Sequence, residues 1–178
     1  MWEYFLSLVW LFLPAGCANM VASLVRAVPF LNYPLDFNFT LKGKVVLGPH
    51  KTWRGLFFGI LAALLMSYVQ VKIYGQNFPY VFFDYSQINF WLWGLLMGGG
   101  AILGDALRSF IKRRRNILPG HPWFPYDQID WVLGAAILIS FYIPISWDKI
   151  VIAVLLSTAI HPAINYLCYI FHLQKNKF

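Results

Sequence analysis

Charged residues are scarce in this sequence. Only 12% of its 178 residues are Asp, Glu, Lys or Arg, whereas about a quarter of a typical soluble domain is charged. In contrast, 60% of the residues are hydrophobic and 19% are aromatic, and the mean hydropathy is +0.60. This composition excludes an ordinary soluble domain. It predicts an integral membrane protein in which residues 1–178 form a single polytopic membrane domain.

Cysteine is nearly absent as well. The two cysteines, Cys17 and Cys168, each lie in an apolar run, where a small and soft side chain packs well. Because neither belongs to a CxxC motif or to a cluster of His and Cys, we expect no disulfide bond and no cysteine metal site. The N-terminal segment lacks the positively charged region of a cleavable signal peptide, so we interpret it as a retained helix.

Long apolar runs are what the chain has in abundance. A membrane helix needs about 20 apolar residues to cross about 30 Å of hydrocarbon, and about five runs approach this length. They cover approximately residues 2–25, 55–73, 88–107, 129–146 and 149–171. The predicted fold class is therefore an all-α integral membrane protein with about five transmembrane helices.

The few cations are unevenly distributed along the chain. Most Lys and Arg residues fall in segments 26–54 and 108–128 and in the C-terminal tail, which share one side of a five-helix arrangement. Because cytoplasmic loops are enriched in Lys and Arg, we predict that the N-terminus is outside and the C-terminus is cytoplasmic. Segment 26–50 has no clear helical period, and we interpret it as a surface or headgroup-level segment.

Three of the few acidic residues surround the most basic segment. Asp105 follows a flexible glycine stretch at 98–100, and Asp127 and Asp130 lie where the fourth run starts. Between them lie five cations: Arg108, Lys112, Arg113, Arg114 and Arg115. A carboxylate at membrane depth is a functional candidate, and Mg²⁺ prefers carboxylates together with phosphate oxygens. We therefore predict a magnesium site for a polyphosphate at this place.

Structural alternatives exist for each part of this segment. Asp105, Arg108, Ser109 and Lys112 would share one helix face, so Asp105 could simply form an interfacial ion pair with Arg108 or Lys112. Acids at a helix start are also favoured by the helix dipole. The basic run could be a topology anchor.

A second basic segment opens the second helix. In GPHKTWRG, Lys51, Thr52 and Arg54 lie at the helix start, where free backbone N–H groups favour an anion; a topology anchor is the alternative.

Two further polar features lie elsewhere in the chain. His121, in the loop PGHPW, is a further candidate for binding phosphate, although a loop histidine is more often solvated. On the fifth helix, a polar stripe is expected to make interhelical hydrogen bonds; it consists of Ser157, His161 and Asn165.

At these positions the sequence resembles the CTP-dependent phosphatidate cytidylyltransferases, or CDP-diacylglycerol synthases. Their signature is G-D, then S-x-x-K-R, then D-R-x-D, and it is matched by Gly104, Asp105, Ser109, Lys112, Arg113, Asp127 and Asp130. Their S-P-x-K-T-x-E-G segment is matched by Pro49, Lys51, Thr52 and Gly55. Arg54 and Arg108 stand where that family has Glu, and Gln128 stands where it has Arg. With the short chain, these departures resemble the archaeal branch, the CDP-archaeol synthases.

The resemblance implies a membrane nucleotidyltransferase of archaeal phospholipid biosynthesis. It would transfer CMP from CTP to 2,3-bis-O-(geranylgeranyl)-sn-glycerol 1-phosphate and release pyrophosphate. It implies that Mg²⁺ is held by Asp105, Asp127 and Asp130 and that Lys112 is catalytic. The distribution of Lys and Arg predicts that this active site faces the cytoplasm. The phosphate-binding candidates are Lys51, Thr52, Arg54, Ser109, Arg113, Arg114 and His121. No nucleic-acid partner is expected.

Other functions remain open on the sequence alone. The lipid substrate could be an ester phosphatidate. Alternatively, the chain could be a non-enzymatic transporter or a scaffold that uses its basic loops to bind anionic lipids. The CDP-alcohol phosphotransferases are disfavoured because their D-G…A-R…G…D…D pattern is missing.

Overall fold

Five α-helices account for most of the chain in the computed structural model, which describes residues 2–25, 28–76 and 78–170. The helices are α1 Trp2–Leu24, α2 Trp53–Tyr74, α3 Phe90–Arg114, α4 Tyr126–Ser140 and α5 Trp147–Ile170. The predicted all-α class is confirmed at this level. Several residues used in the sequence interpretation lie outside the described part, namely Arg26, Lys175, Lys177 and the side chains of His161, Asn165 and Cys168.

The helices differ in their ability to cross a membrane. Within the described residues, α1, α2 and α3 are the three that are long and apolar enough to do so. Helix α4 has 15 residues, or about 22 Å at 1.5 Å per residue, which is less than the hydrocarbon thickness. It begins three residues before the predicted run 129–146 and ends six residues before the end of that run, since the residues ahead of Pro144 leave the helical conformation.

Helices α3 and α4 touch through their backbones at three glycines. A Cβ atom on Gly104 would lie 2.1 Å from the backbone oxygen of Asp130, and one on Gly134 would lie 2.1 Å from that of Gly100. Such small residues let two helices approach closely. The glycines at 98–100, expected as a flexible stretch, are therefore part of a helix, and Gly100 and Gly104 set the position of Asp105 relative to α4.

A neutral hydrogen-bond network joins α1, α2 and α3 in the opposite half of the bundle. The Gln70 side chain is fully buried. Its amide nitrogen donates to the carbonyl of Trp10, and its oxygen accepts from Nε1 of Trp93 at 3.0 Å. Elsewhere, Ser157 of α5 donates to the carbonyl of Gln128, which is the interhelical hydrogen bond predicted for that stripe.

The connection between α1 and α2 contains no helix in its described residues 28–52, as its missing helical period predicts. It forms a small antiparallel hairpin of β1 Thr40–Leu41 and β2 Lys44–Val45. The residues ahead of this hairpin lie beside the start of α2, where Leu35 N donates to the carbonyl of Lys51 at 2.7 Å. This segment therefore lies next to the end of the bundle that carries the acidic residues.

Candidate active site

The guanidinium group of Arg108 lies between all three predicted acidic residues. Its Nη2 donates to Asp105 and its Nη1 to Asp127. Its Nε lies 2.8 Å from Oδ2 of Asp130, which is an ion-pair distance without the alignment of a hydrogen bond. The sequence-predicted acids are thus brought together, and one cation contacts each of them.

Two lysines complete this cluster. Lys51, just before α2, forms a salt bridge with Asp105, and Lys112 lies 3.1 and 3.2 Å from the two oxygens of Asp127. The cluster therefore holds three carboxylates and three cations, whose formal charges balance. The side chains of Asp130 and Lys112 are only 7% and 6% exposed. Charges buried to this degree need partners, because an unpaired buried charge is strongly destabilising.

Local sequence explains how these side chains converge. Asp105, Arg108 and Lys112 are spaced i, i+3 and i+7 along α3, so they share one helix face. Asp127 and Asp130 are i, i+3 in the first turns of α4, and the backbone contact at Gly104 brings that face against α3. The convergence therefore depends on two helix faces and on one close helix crossing.

The start of α2 supplies the third wall of the site. The hydroxyl of Thr52 caps this helix by accepting from the backbone N–H of Gly55 at 3.3 Å, and Thr52 itself is buried. The cap fixes the first turn, so Lys51 lies directly ahead of the helix with its amine on Asp105. Lys51, one of the predicted phosphate-binding residues, is thereby placed on the acidic cluster, and the hydroxyl of Thr52 serves as the helix cap.

The loop between α3 and α4 folds against the same cluster. Asp127 accepts from the backbone N–H of Trp123 at 2.7 Å, and Lys112 donates to the backbone carbonyl of His121. The His121 side chain is exposed. The guanidinium of Arg115 lies 5.2 Å from the ring centre of Trp123. The predicted residue His121 thus reaches the cluster through its backbone.

Two predicted phosphate-binding arginines contact the 28–45 segment instead of the carboxylates. Arg54 is buried and donates to the carbonyl of Val28. Arg114 donates to three hairpin carbonyls, those of Leu41, Lys44 and Val45, at 2.7, 3.0 and 2.7 Å. In this structure these guanidinium groups hold the segment onto the bundle.

Ser109 and Arg113 are both buried near the end of α3, at 6% and 7% exposure. The Nε and Nη1 atoms of Arg113 have no hydrogen-bond partner among the described residues. A buried guanidinium with free donors is suited to an incoming anion. This arrangement is compatible with the predicted role of Arg113 in binding phosphate.

Sequence reasoning did not select Arg108 as a site residue, although the structure places it at the centre. The available signal was its i, i+3 spacing from Asp105, which was interpreted as an alternative ion pair. The helix-packing role of Gly100 and Gly104 is a second feature that the sequence interpretation does not include, although both residues lie in stretches that it names. They form a GxxxG motif of the kind that brings two membrane helices together.

The donor chemistry of the cluster suits Mg²⁺, since all three acids offer carboxylate oxygens. In the described part of the chain, however, no three His, Cys, Asp or Glu side chains are grouped closely enough to hold a metal ion as they stand. The space between the acids is taken by the guanidinium of Arg108. The three carboxylates are therefore suitable ligands for Mg²⁺ by chemical type, while the guanidinium of Arg108 lies between them in this structure.

Comparison with known proteins identifies the family. The model of the CarS-like CDP-archaeol synthase family matches residues 1–178. The chain belongs to the CDP-archaeol synthase family. A CDP-archaeol synthase of Archaeoglobus fulgidus is 32% identical over 98% of each chain. Another, from Pyrobaculum calidifontis, is 35% identical over 90% of this chain and 87% of that protein.

A solved structure is also similar. It is described as an intramembrane enzyme for archaeal membrane lipids biosynthesis, has a TM-score of 0.71 and 28% identity, and covers 88% of this chain and 91% of its own. As a member of the CDP-archaeol synthase family, the chain is an enzyme, a nucleotidyltransferase of archaeal ether-lipid biosynthesis, and a membrane protein. The family implied by the sequence motifs is thereby confirmed, and the non-enzymatic alternatives are set aside.

Proposed function

We propose that this enzyme transfers CMP from CTP to the phosphate of 2,3-bis-O-(geranylgeranyl)-sn-glycerol 1-phosphate. An oxygen of the lipid phosphate forms a bond to the α-phosphorus of CTP, the bond from that phosphorus to the β-phosphate oxygen breaks, and pyrophosphate leaves. The observation that carries the proposal is the convergence of Asp105, Asp127 and Asp130 in a chain matched over its full length by the family.

The cations around the acids have the chemistry to bind phosphates. Lys51 and Lys112 carry amines beside the carboxylates, and Arg113 has buried donors without partners among the described residues. We assign these three residues to the triphosphate and to the charge that develops on the leaving pyrophosphate. Thr52 and Ser109 are proposed as hydroxyl donors. Arg54, Arg114 and His121 are proposed as weaker contributors, because their side chains point to other partners or to solvent.

We propose that Asp105, Asp127 and Asp130 hold Mg²⁺. When bound, the ion would neutralise phosphate charge and help to orient the reacting groups. The rest of the reaction requires positioning more than covalent chemistry from the protein, as in other phosphoryl transfers. The buried lysines and Arg113 orient the phosphates, and the close packing of α3 on α4 keeps the acids in register.

The proposed membrane placement has about five membrane-embedded helices, of which α4 is too short to cross the hydrocarbon by itself, and it puts the cluster at the cytoplasmic interface. Three helices are long and apolar enough to span the membrane within the described residues. The basic residues of the 28–54 and 108–115 segments lie at the same end of the bundle as the acids, as expected for the cytoplasmic side. CTP would thus reach the acids from the cytoplasm, and the lipid phosphate would reach them from headgroup depth.

The proposal is tested by an assay of the purified protein in detergent. Labelled CTP and Mg²⁺ are supplied with either the geranylgeranyl ether lipid phosphate or an ester phosphatidate, and CDP-lipid is quantified. We expect product from the ether lipid and none when EDTA replaces Mg²⁺. Absence of CDP-lipid from both substrates would refute the proposal, whereas a strong preference for the ester would refute only the lipid assignment.

A further inference from the structure

Arg108 differs from the other cations of the site in how completely it occupies the acidic cluster. Three nitrogens of a single guanidinium contact three carboxylates from two helices, and its side chain is only 17% exposed. Lys51 and Lys112 each contact a single member of the acidic triad. Arg108 therefore occupies the place where a cation coordinated by all three acids would lie.

We propose that Arg108 is a built-in counter-cation of the metal-free enzyme, which a divalent cation displaces when it binds to the three aspartates. This inference rests on the proposed function, because it requires that these aspartates are the metal ligands. Arg108 is thus a positioning residue. It holds the three carboxylates together before the metal arrives and competes with the metal for them.

Charge balance supports this role. Without a metal, three buried carboxylates would repel one another, and removing their partners would leave uncompensated buried charge. Arg108 together with Lys51 and Lys112 balances the formal charges of the three carboxylates. When a divalent ion takes the place of Arg108 and the guanidinium stays nearby, the site carries a net charge of about +2. The added positive charge suits a triphosphate and a lipid phosphate.

Side-chain geometry explains why this role requires arginine at position 108. A guanidinium is a planar fork that presents several donors at once, whereas an ammonium is a compact point charge. A lysine at position 108 would retain the positive charge but could not match the three-carboxylate contact of Arg108. The Arg108→Lys substitution therefore separates the effect of the positive charge from the effect of a guanidinium that contacts all three carboxylates.

The competition predicts a definite change in metal affinity. When the binding-competent state is populated only as a fraction, the apparent dissociation constant is the intrinsic value divided by that fraction. If Arg108 occupies the cluster in about 90–99% of molecules, removing it tightens metal binding by about 10- to 100-fold. A residue that merely stabilised the fold would weaken metal binding or leave it unchanged when removed.

The first test measures Mn²⁺ binding by electron paramagnetic resonance, with purified protein in detergent and no nucleotide. We expect Arg108→Ala to bind Mn²⁺ at least about 10-fold more tightly than the wild type, and Arg108→Lys to fall clearly on the side of Arg108→Ala. Unchanged or weaker binding by Arg108→Ala would overturn the proposal. So would wild-type affinity in Arg108→Lys combined with tighter binding in Arg108→Ala, because charge alone would then account for the effect.

The second test uses the wild-type protein, so it does not depend on a variant that folds. Phenylglyoxal modifies accessible arginines, and mass spectrometry locates the modified positions. We expect Arg108 to be protected in the metal-free protein and to react several-fold faster with Mg²⁺ present. Arg115, which is exposed, serves as the internal reference and should not change. Equal or lower reactivity of Arg108 with Mg²⁺ would overturn the proposal.

These outcomes are distinguishable from failure of the proposed function. If the wild type makes no CDP-lipid, the function is wrong whatever Arg108 does. If the wild type makes CDP-lipid in a Mg²⁺-dependent manner and removal of Arg108 leaves Mn²⁺ affinity unchanged, the function stands and the displacement is refuted.

Discussion

Both ends of the bundle carry aspartates at helix starts, but the two ends pair them differently. At the candidate site, Asp127 and Asp130 contact Arg108. At the other end, Asp148 in the first turn of α5 accepts from the hydroxyl of Tyr4 at 2.7 Å. All salt bridges found among residues 2–25, 28–76 and 78–170 belong to the candidate site.

The cations and acids of the second end have neutral partners. Lys72 lies 5.5 Å from the ring centre of Tyr68, and Lys149 lies 5.0 Å from that of Phe82. Asp84 caps a short 3-10 turn, and its hydrogen bonds with Ser86 hold the pKa of that carboxyl below its usual range.

The difference supports the proposed site at the end that carries the acidic cluster. Neutral hydrogen bonds and aromatic contacts satisfy polar groups without gathering charge, so they serve to anchor and join elements. A buried cluster of opposite charges costs desolvation energy, and such a cost is typical of functional sites in membrane proteins. The comparison therefore predicts that matched substitutions at the two ends have unequal effects on activity.

The largest effect is expected from removing one charge of the cluster. Asp130→Asn keeps the size of the side chain and an oxygen for the backbone N–H of Trp131, which now donates to Oδ1 at 2.8 Å. It removes a charge that contacts Arg108 and that we assign to the metal. We expect CDP-lipid formation to fall by about 100- to 1,000-fold, as for the loss of one electrostatic group in other active sites.

Asp148→Asn is the matched control for this substitution. It changes the same residue type at the start of a helix, at an exposed position of the other end. We expect turnover within about twofold of the wild type, and gel filtration should show both variants folded. An equal loss of activity in Asp130→Asn and Asp148→Asn would contradict the prediction that the two ends of the bundle differ in their importance for activity.

The helices and the candidate acidic residues could be predicted from the sequence, whereas the way in which the helices pack together could not. Apolar run length and the positions of cations are local properties, so five helices and the acidic segment were predictable. Helical spacing also showed that Asp105 and Arg108 share a face. It did not show which helix that face meets, because this depends on Gly104 contacting the backbone of Asp130, a long-range contact.

The end of α4 illustrates a second limit. Residues 141–146 are mostly apolar and extended the predicted run, but they form a turn that packs on the loop before α3. There the hydroxyl of Tyr142 accepts from the backbone N–H of Asn89 at 3.2 Å, and Ile145 is buried. An apolar composition indicates that residues are buried or contact lipid, but it does not by itself indicate that they are helical. The small hairpin at 40–45 was unpredictable for a related reason, since Arg114 from α3 holds it.

A smaller effect is expected from widening the α3–α4 contact. The Cβ atom of Gly104→Ala would lie 2.1 Å from the backbone oxygen of Asp130, so the helices must separate and the acids shift. Overpacking of this kind costs about 1–3 kcal/mol of folding stability. Because a misplacement of about 1 Å in an active site can cost up to about 100-fold in rate, we expect turnover to fall roughly tenfold. Gly99→Ala is the control in the same helix, because a Cβ there has nothing within 4 Å. Wild-type activity in Gly104→Ala would show that the crossing does not set the geometry of the site.

The smallest effect on activity is expected at the neutral network. Gln70→Leu removes both hydrogen bonds of a fully buried amide and leaves Nε1 of Trp93 without its acceptor. An unsatisfied buried donor costs about 1–3 kcal/mol, which corresponds to a fall of several degrees in the unfolding temperature at this chain length. The network joins helices in the half of the bundle away from the acids, so we expect turnover of the folded protein within about twofold of wild type.

Thermal unfolding in detergent and the CDP-lipid assay separate the effect on stability from the effect on activity. Gln87→Leu, at an exposed position, is the control and should change neither. A loss of activity as large as that of Asp130→Asn, with unchanged stability, would mean that the neutral half takes part in the chemistry.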